Sequence, residues 1–589
     1  MVGPVRAVCG RRLANSGNDP RRRVLGAPLF PSSVSGLLRA ESESLVLRSP
    51  RASLLAALAL LSAPAARADV PTLDGRSWWK HVEFLASDEL QGRETGSEGY
   101  RKAAAYVAEQ LAAAGVKPGA GEGYLQEMAL VSRRLVEERS RLALVRGGKQ
   151  TPLVLGEDAI ISSRMGEPGA VDAPMVFVGY GLSIPDAGYD DLAGVDLKGK
   201  VAVILQGGPE KISGALRAHH GSSSERAKAL RKAGAVGVIL VQSPKLVEVP
   251  WERSAKARKM PSMMFADPSL NDDQGLKVSA VINMARAQKL FAGAPHTYEE
   301  VVALSNADKP LPRFELPSRL KAELAFETSP VKASNVVGVL PGSDPKLAGE
   351  YVVLSAHLDH VGVGEPINGD GIYNGAMDNA SGVAALLEVA KVLQASETKP
   401  RRSVLFALVA GEEKGLLGSK YFAARPTVPA EGLVADLNLD MFLPLMPFTH
   451  VMSQGLDEST LGASLRQVAA GHGVMVQADP QPNRMGFVRS DQYSFIREGV
   501  PALAFKFGFE PGSKEELLQK QWYRERYHAP ADDLSQPVDK EGAAKFVRML
   551  AELARTVADA PERPRWNESS FFRRFAKTAE KGGEPGVRP

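Results

Sequence analysis

Apolar runs that alternate with an amphipathic segment between residues 351 and 507 form the clearest pattern in this chain. Tyr351–Ser355, Ser403–Ala410, Leu433–Leu439 and Ala502–Phe507 are nearly continuous apolar runs, as expected of strands that are covered on both faces. Between the first two, Ser381–Leu393 has apolar residues at helical spacing. This alternation predicts an α/β fold with a mixed, mostly parallel sheet and helices on both faces.

Two other regions have different patterns. Residues 78–116 predict two helices separated by a Gly-rich break, and Gly115 ends the second helix, Ala103–Ala114. Residues 150–310 contain short β-like runs, such as Ala173–Tyr180, between Gly, Pro and Asp turns. They also contain a predicted helix, Ser224–Ala233, followed by a predicted strand. We interpret this region as a β-rich module inserted into the main domain.

The length of 589 residues is too great for one ordinary core and predicts more than one domain. The patterns divide the chain into an N-terminal extension with a signal peptide (1–68), a first part of the main domain (69–149), the β-rich insert (150–310), a second part of the main domain (311–560) and a tail (561–589). The tail is rich in Arg, Lys, Pro and Gly, and we expect it to be flexible.

The net charge of +4 is unevenly distributed along the chain. Residues 1–68 contain ten Arg and three acidic residues, a net charge of +7, so the remainder has a net charge of −3. A nucleic-acid-binding protein would have a basic surface on its folded part. We therefore predict no nucleic-acid partner.

The N-terminal residues have the arrangement of a secretory signal peptide. Two arginines precede the apolar run Leu54–Leu61, and Ala66-Arg67-Ala68 follows as a small-x-small cleavage site, which makes Asp69 the first mature residue. The run is too short to span a bilayer, so a membrane anchor is the weaker alternative. We expect a secreted or periplasmic protein without stable membrane insertion.

Ionisable residues follow the predicted strands at the ends where ligands bind in open α/β sheets. Any one of them alone would usually be a turn or cap residue, but so many on successive elements favour a shared site. The candidates are His357, Asp359, Asp378, Glu412, Glu413, Asp440 and His528.

The residue types suit divalent metals, because imidazole and carboxylate groups are present without sulfur. The only cysteine, Cys9, lies in the segment predicted to be removed. Two histidines and three carboxylates are too many for one tetrahedral site, but they suit two ions if one carboxylate bridges them. Asp359 lies two residues after His357, so strand alternation predicts that its carboxylate orients that imidazole.

The motifs HxD, MDN, GEE, NLD and YH, in this order, resemble those of the M28 zinc peptidases, which include bacterial aminopeptidases and glutamate carboxypeptidases. The resemblance covers residues from about 75 to 555 and implies the zinc-exopeptidase fold. It also implies two zinc ions that hold a water between them. One zinc would be held by His357 and Asp440 and the other by Glu413 and His528, with Asp378 as the bridge and a cis peptide bond to Asn379.

The same resemblance implies roles for residues that bind no metal. Glu412 would be the general base, and Tyr527 would stabilise the tetrahedral oxyanion. The insert resembles a protease-associated (PA) domain through Pro174–Gly181 and Ala233–Gly237, and either an inert or a substrate-gating role is open. Glutaminyl cyclases of similar fold keep only one zinc, whereas all five ligands are present here.

The resemblance implies an aminopeptidase that acts on peptides, by analogy with secreted bacterial members of the family that carry the inserted domain. The alternatives are a carboxypeptidase and a non-catalytic peptide-binding protein that keeps its metal for structure. Arg489 would suit a C-terminal carboxylate and Asp491 a free N-terminus, although either could form only a local salt bridge. Manganese or cobalt would also accept these ligands. The sequence predicts no oligomeric state.

Overall fold

The computed structural model describes residues 73–484 and 486–577. The predicted signal peptide, its cleavage site and Cys9 lie outside these residues, as does the end of the tail after residue 577. Within the described part of the chain, no helix has both the length and the apolar character needed to cross a membrane.

Ten strands of the described residues form the main sheet. Nine of them lie in the spatial order Ser262–Phe265, Leu125–Leu135, Phe326–Leu340, Ser403–Val409, Tyr351–His357, Leu433–Leu439, Ala502–Phe507, His450–Gln454 and Met475–Ala478, and Lys117–Pro118 pairs with the third.

Four central strands of this sheet position the site. They are β1 (Tyr351–His357), β2 (Ser403–Val409), β3 (Leu433–Leu439) and β4 (Ala502–Phe507), and they run parallel to one another. The carboxyl ends of all four therefore lie at one edge of the sheet. Most outer pairs are antiparallel, so the predicted mixed sheet is confirmed, with its parallel pairing concentrated at the centre.

Both faces of the central strands are covered, as the continuous apolar runs predict. In β1, Val352 and Leu354 pack in the core formed with α1 (Ser381–Ala395). Val353 points to the opposite face and packs in a second core with Phe422 and Phe495 from two other helices. Side chains of a strand alternate between its two faces, so each face supplies one layer of core.

The insert forms a second sheet of eight strands in the described residues. Their spatial order is Lys149–Pro152, Arg141–Arg146, Arg313–Leu324, Gly169–Val178, Val201–Leu205, Gly237–Val241, Val278–Ile282 and Ala159–Ile161. This sheet begins before residue 150 and ends after residue 310, so it extends beyond both predicted boundaries. Its identity as a PA domain stays a prediction.

Two short hairpins, Ser183–Ile184 with Tyr189–Asp190 and Gly362–Ile367 with Asp370–Tyr373, complete the described strands. The α-helices of the described residues are Arg76–Leu85, Glu98–Ala113, Gly214–Gly221, Ser223–Lys232, Trp251–Ala257, Gln288–Phe291, Tyr298–Asn306, Ser381–Ala395, Leu417–Ala424, Leu461–Gly471, Gln492–Arg497, Lys514–Glu525 and Lys540–Asp559. Gly115 follows the second helix with φ 76°, a left-handed conformation that suits glycine at a helix C-terminus.

The first part of the predicted flexible tail is packed against the main domain. Trp566 and Phe572 are buried in a cluster with Ile496 and Val488, and the indole N–H of Trp566 donates to the carbonyl of Gly499 at 3.2 Å. The segment has too few apolar residues for a periodic pattern. A few large aromatic side chains are nevertheless enough to anchor it, because each buries a large apolar area.

Candidate metal centre and catalytic site

The structure brings the five predicted metal ligands together at the carboxyl edge of the main sheet. His357 ends β1, Glu413 follows β2 and Asp440 follows β3. Asp378 lies in the turn just before α1, and His528 lies on the loop after helix Lys514–Glu525.

Their side chains form two groups that share Asp378. In the first, Nε2 of His357 lies 3.2 Å from Oδ1 of Asp378 and 3.5 Å from Oδ1 of Asp440. In the second, Nε2 of His528 lies 3.3 Å from Oδ2 of Asp378 and 3.1 Å from Oε2 of Glu413. Each oxygen of the Asp378 carboxylate therefore faces a different imidazole.

Several ligand atoms at this centre are buried without a hydrogen-bond partner among the described residues. They are Nε2 of His357, Oδ2 of Asp378, Oε1 of Glu413 and Oδ1 of Asp440. Buried polar atoms are nearly always paired, so unpaired ones in a tight cluster need an explanation. Divalent cations that bind nitrogen and carboxylate oxygen, as Zn²⁺ does, would satisfy them all. The residues therefore fit a metal centre.

The carboxylates control the protonation of both imidazoles. Burial by itself would lower the pKa of His357, but the nearby carboxylates of Asp378 and Asp440 raise it well above its usual value. Burial would likewise lower the pKa of His528, whereas the charges of Glu413 and Asp378 raise it well above the usual value. A bound metal ion would act against this effect, because a liganding imidazole must be neutral.

Asp359 does not have the predicted contact with His357. Nδ1 of His357 lies 3.0 Å from the backbone carbonyl oxygen of Asp359, whereas the carboxylate oxygen is 4.0 Å away. The carboxylate instead accepts from Oγ1 of Thr95 at 2.9 Å and from the backbone N–H of Glu412 at 3.2 Å. β1 ends at His357, so strand alternation no longer determines where the Asp359 side chain points.

The turn that carries Asp378 is held by a residue that the sequence pattern did not indicate. The carboxylate of Asp532 accepts from the backbone N–H groups of Met377 and Asp378 at 2.9 and 3.0 Å. The side-chain amide of Asn379 donates to the carbonyl of Leu439 at 2.7 Å, which ties the turn to the end of β3. The peptide bond between Asp378 and Asn379 is cis, as the resemblance implies.

Glu412 and Tyr527 both lie at the metal centre without belonging to either ligand group. Glu412 lines a pocket of about 100 Å³ together with Asp378 and Asp440, and burial raises the pKa of its carboxyl well above the usual value. The ring of Tyr527 lies against that of His528, with 4.0 Å between centroids. Burial also raises the pKa of Tyr527, so its hydroxyl stays protonated and can donate a hydrogen bond.

Arg489 and Asp491, the two candidates for substrate recognition, differ in whether they line the pocket. Arg489 lines the pocket and forms a salt bridge of 2.7 Å with Glu248, a residue of the insert and not a local partner. Asp491 is fully buried, and burial raises its pKa to about 7. Asp491 does not line the pocket that Arg489 lines, and its role in binding a substrate N-terminus stays a prediction.

His360 is a further histidine of the centre that the motif analysis missed. It is fully buried, and its Nδ1 lies 2.8 Å from Oε1 of Glu413 and 3.9 Å from Oδ2 of Asp378. With those two residues it forms a group that could hold a metal ion. Its position directly after Asp359 in the HxD segment is the signal that could have indicated it.

Replacing His360 with Ala is expected to weaken zinc binding about 10- to 100-fold, the usual cost of losing a group that supports a metal ligand. The reason is its contact with Glu413. Zinc affinity is measured by competition with a chromophoric chelator. His472→Ala is the matched control, because His472 pairs with Glu552 at the protein surface. Equal zinc affinity in the two variants would show that His360 gives the centre no support.

Comparisons with known proteins bear on the same part of the chain. Residues 335–554 match the sequence model of peptidase family M28. The leupeptin-inactivating enzyme 1 of Streptomyces exfoliatus is 28% identical over 217 residues, which cover 36% of this chain and 45% of that protein. A probable zinc metalloprotease of Pyrenophora teres f. teres is 39% identical over 113 residues, which cover 19% of this chain and 23% of that protein.

The chain thus spans less than half the length of these two relatives. Among solved structures, the aminopeptidase from Aneurinibacillus sp. strain AM-1 is 20% identical with a TM-score of 0.49, over 84% of this chain and 96% of that one. The matched residues 335–554 contain the five candidate ligands and Glu412. Through these residues, the chain is similar to peptidase family M28.

Proposed function

We propose that this protein is a secreted or periplasmic exopeptidase that binds two zinc ions and releases N-terminal residues from peptides. The observation that carries the proposal is the position of Asp378, whose two carboxylate oxygens lie 3.2 and 3.3 Å from the imidazoles of two separate ligand groups. A carboxylate placed in this way suits a bridge between two ions.

The residues would hold the ions in two sets. His357 and Asp440 suit one ion, Glu413 and His528 the other, and Asp378 both. Bound zinc lowers the pKa of water and polarises a carbonyl oxygen, which makes amide hydrolysis possible at neutral pH.

The chain's own residues would then carry the protons. Glu412 would accept a proton from the attacking water and pass it to the leaving amine, as a general base and acid does. Its backbone N–H is held by Asp359, which fixes the start of its side chain relative to the ligands. The protonated hydroxyl of Tyr527 would donate to the oxyanion that develops on the scissile carbonyl.

The pairing of Arg489 with Glu248 favours an aminopeptidase over a carboxypeptidase. A C-terminal carboxylate needs a free cation in the pocket, whereas the guanidinium of Arg489 is already paired with Glu248. A non-catalytic metal protein would have no use for the pocket-lining carboxylate of Glu412. The proposed location outside the cytoplasm rests on the signal-peptide pattern in residues 1–68.

The test compares aminoacyl-nitroanilides with N-blocked dipeptides as substrates of the protein. We expect hydrolysis of the nitroanilides only, loss of activity after treatment with a chelator, and recovery when zinc is added back. Zinc content is measured in parallel, and two ions per chain are expected. Cleavage of the N-blocked dipeptides alone would instead support the carboxypeptidase, and stoichiometric zinc without any hydrolysis would support the non-catalytic alternative.

A further inference from the structure

A carboxylate from the insert reaches the pocket of the metal centre. Glu248 lies between the turn Pro244–Leu246 and the helix Trp251–Ala257. Its side chain is only 15% exposed, and it lines the same pocket as Asp378 and Glu412. The insert therefore contributes a charged group to the place where a substrate would bind.

Glu248 binds two arginines of the main domain through one oxygen. Its Oε1 accepts from Nε of Arg484 at 2.8 Å and from Nη1 of Arg489 at 2.7 Å. Burial by itself would raise the pKa of Glu248, but the two guanidinium groups lower it to about 2. One negative charge thus faces two positive charges beside the metal centre.

The helix that follows Glu248 is anchored to both the insert and the main domain. The indole N–H of Trp251 donates to the carbonyl of Gly156 in the insert at 2.8 Å. The guanidinium of Arg253 donates to the carbonyls of Tyr527 at 2.5 Å and Arg524 at 2.7 Å in the main domain. These contacts connect the segment to the loop that carries His528, so Glu248 is held at a fixed distance from the metal ligands.

A larger cleft of about 670 Å³ continues from this pocket, and Glu248 and Arg484 line both. The other charged residues that line the cleft are Glu210, Arg217, Lys245, Lys520 and Arg524. Cations therefore outnumber carboxylates along the route by which a peptide would leave the metal centre. Such a surface attracts anionic groups, and Glu248 is the carboxylate that lines both the cleft and the pocket of the metal centre.

We propose that Glu248 is a specificity-determining residue that pairs with Arg484 and Arg489 and so weakens the attraction of the pocket for a substrate carboxylate close to the scissile bond. The proposal rests on the peptidase function proposed above. With Glu248 in place, the pocket discriminates little between a dipeptide with a free C-terminal carboxylate and one whose C-terminus is an amide. Without it, two guanidinium groups lack their counter-ion and favour the free acid.

The experiment compares leucyl-glycine with leucyl-glycinamide as substrates of the zinc-loaded, full-length protein. In Glu248→Gln, we expect the ratio of kcat/KM for the acid to that for the amide to rise about fivefold or more, through a lower KM for the acid, because a partly solvated ion pair has been opened. In Arg489→Gln, the same ratio should fall. Glu252→Gln, an exposed glutamate four residues further along, is the matched control and should leave the ratio unchanged.

A ratio that rises in Glu248→Gln and falls in Arg489→Gln cannot come from partial unfolding, because unfolding would reduce hydrolysis of both substrates alike. An unchanged ratio in Glu248→Gln, with the amide still hydrolysed, would overturn the proposal. The same two peptides are also titrated by calorimetry into Glu412→Gln protein, with and without Glu248→Gln. This measurement of binding needs no turnover. It therefore shows whether Glu248 reduces the preference for the free acid even if the wild-type protein hydrolyses neither peptide and the proposed function fails.

Discussion

Replacing Glu412 with Gln is expected to reduce kcat of the zinc-loaded protein by about 10²- to 10⁴-fold, the usual contribution of a general base. Gln has nearly the same size and keeps an oxygen in the same position, but it cannot accept the proton of the attacking water. The backbone N–H of residue 412 still donates to Asp359, so the local structure should survive the change.

Zinc content separates this role from that of a ligand. Glu412 belongs to neither group of potential ligands in the described residues, so Glu412→Gln should bind as much zinc as the wild-type protein. Kinetics on an aminoacyl-nitroanilide and metal analysis of the same sample provide both readouts. Glu431→Gln, an exposed glutamate just before β3, is the control and should change neither. Near-normal kcat in Glu412→Gln would remove Glu412 from the role of base.

Replacing Asp378 with Ala is expected to have the largest effect on metal binding. The change removes one carboxylate oxygen from each ligand group. We expect zinc affinity to fall by more than about 100-fold, beyond the loss that follows removal of an outer-shell partner, and activity to fall with it. The backbone N–H groups that bind Asp532 are still present in the variant, so the turn itself should persist.

Two further variants define the reason for that loss. Asp378→Asn keeps one oxygen but has no negative charge, so its zinc affinity should lie between those of the wild-type protein and Asp378→Ala. Asp457→Ala removes an exposed carboxylate that pairs with Arg466, and its zinc content should be normal. Stoichiometric, tightly bound zinc in Asp378→Ala would refute the assignment of Asp378 as the bridging ligand.

The four central strands and helix α1 could be predicted from the sequence to within about two residues. β3 and β4 have the predicted bounds, and α1 begins at the predicted Ser381. Strands covered on both faces have long apolar runs, and such runs are visible without any knowledge of the partners. The buried aromatic residues of the tail were not predictable in this way, because Trp566 and Phe572 are too far apart to form a periodic pattern.

The ligand set was predictable for a related reason. Parallel strands bring their carboxyl ends to one edge, so His357, Glu413 and Asp440 were expected at that edge once β1, β2 and β3 were predicted as strands of one mostly parallel sheet. The residue types then indicated a metal without sulfur ligands. The position of His360 directly after Asp359 could indicate a residue near the site, but not its contact with Glu413, because that contact depends on how the chain turns after β1 ends.

The sequence by itself determined the α/β fold, the edge of the main sheet at which the site lies and the kinds of atoms available to a metal. These depend on periodicity and residue type, which are local properties of the chain. Only the tertiary structure decided that Asp359 holds the backbone of Glu412, that Asp532 holds the turn of Asp378 and that Glu248 pairs with Arg489. Such contacts join residues far apart in the chain, and the packing of whole elements sets their distances.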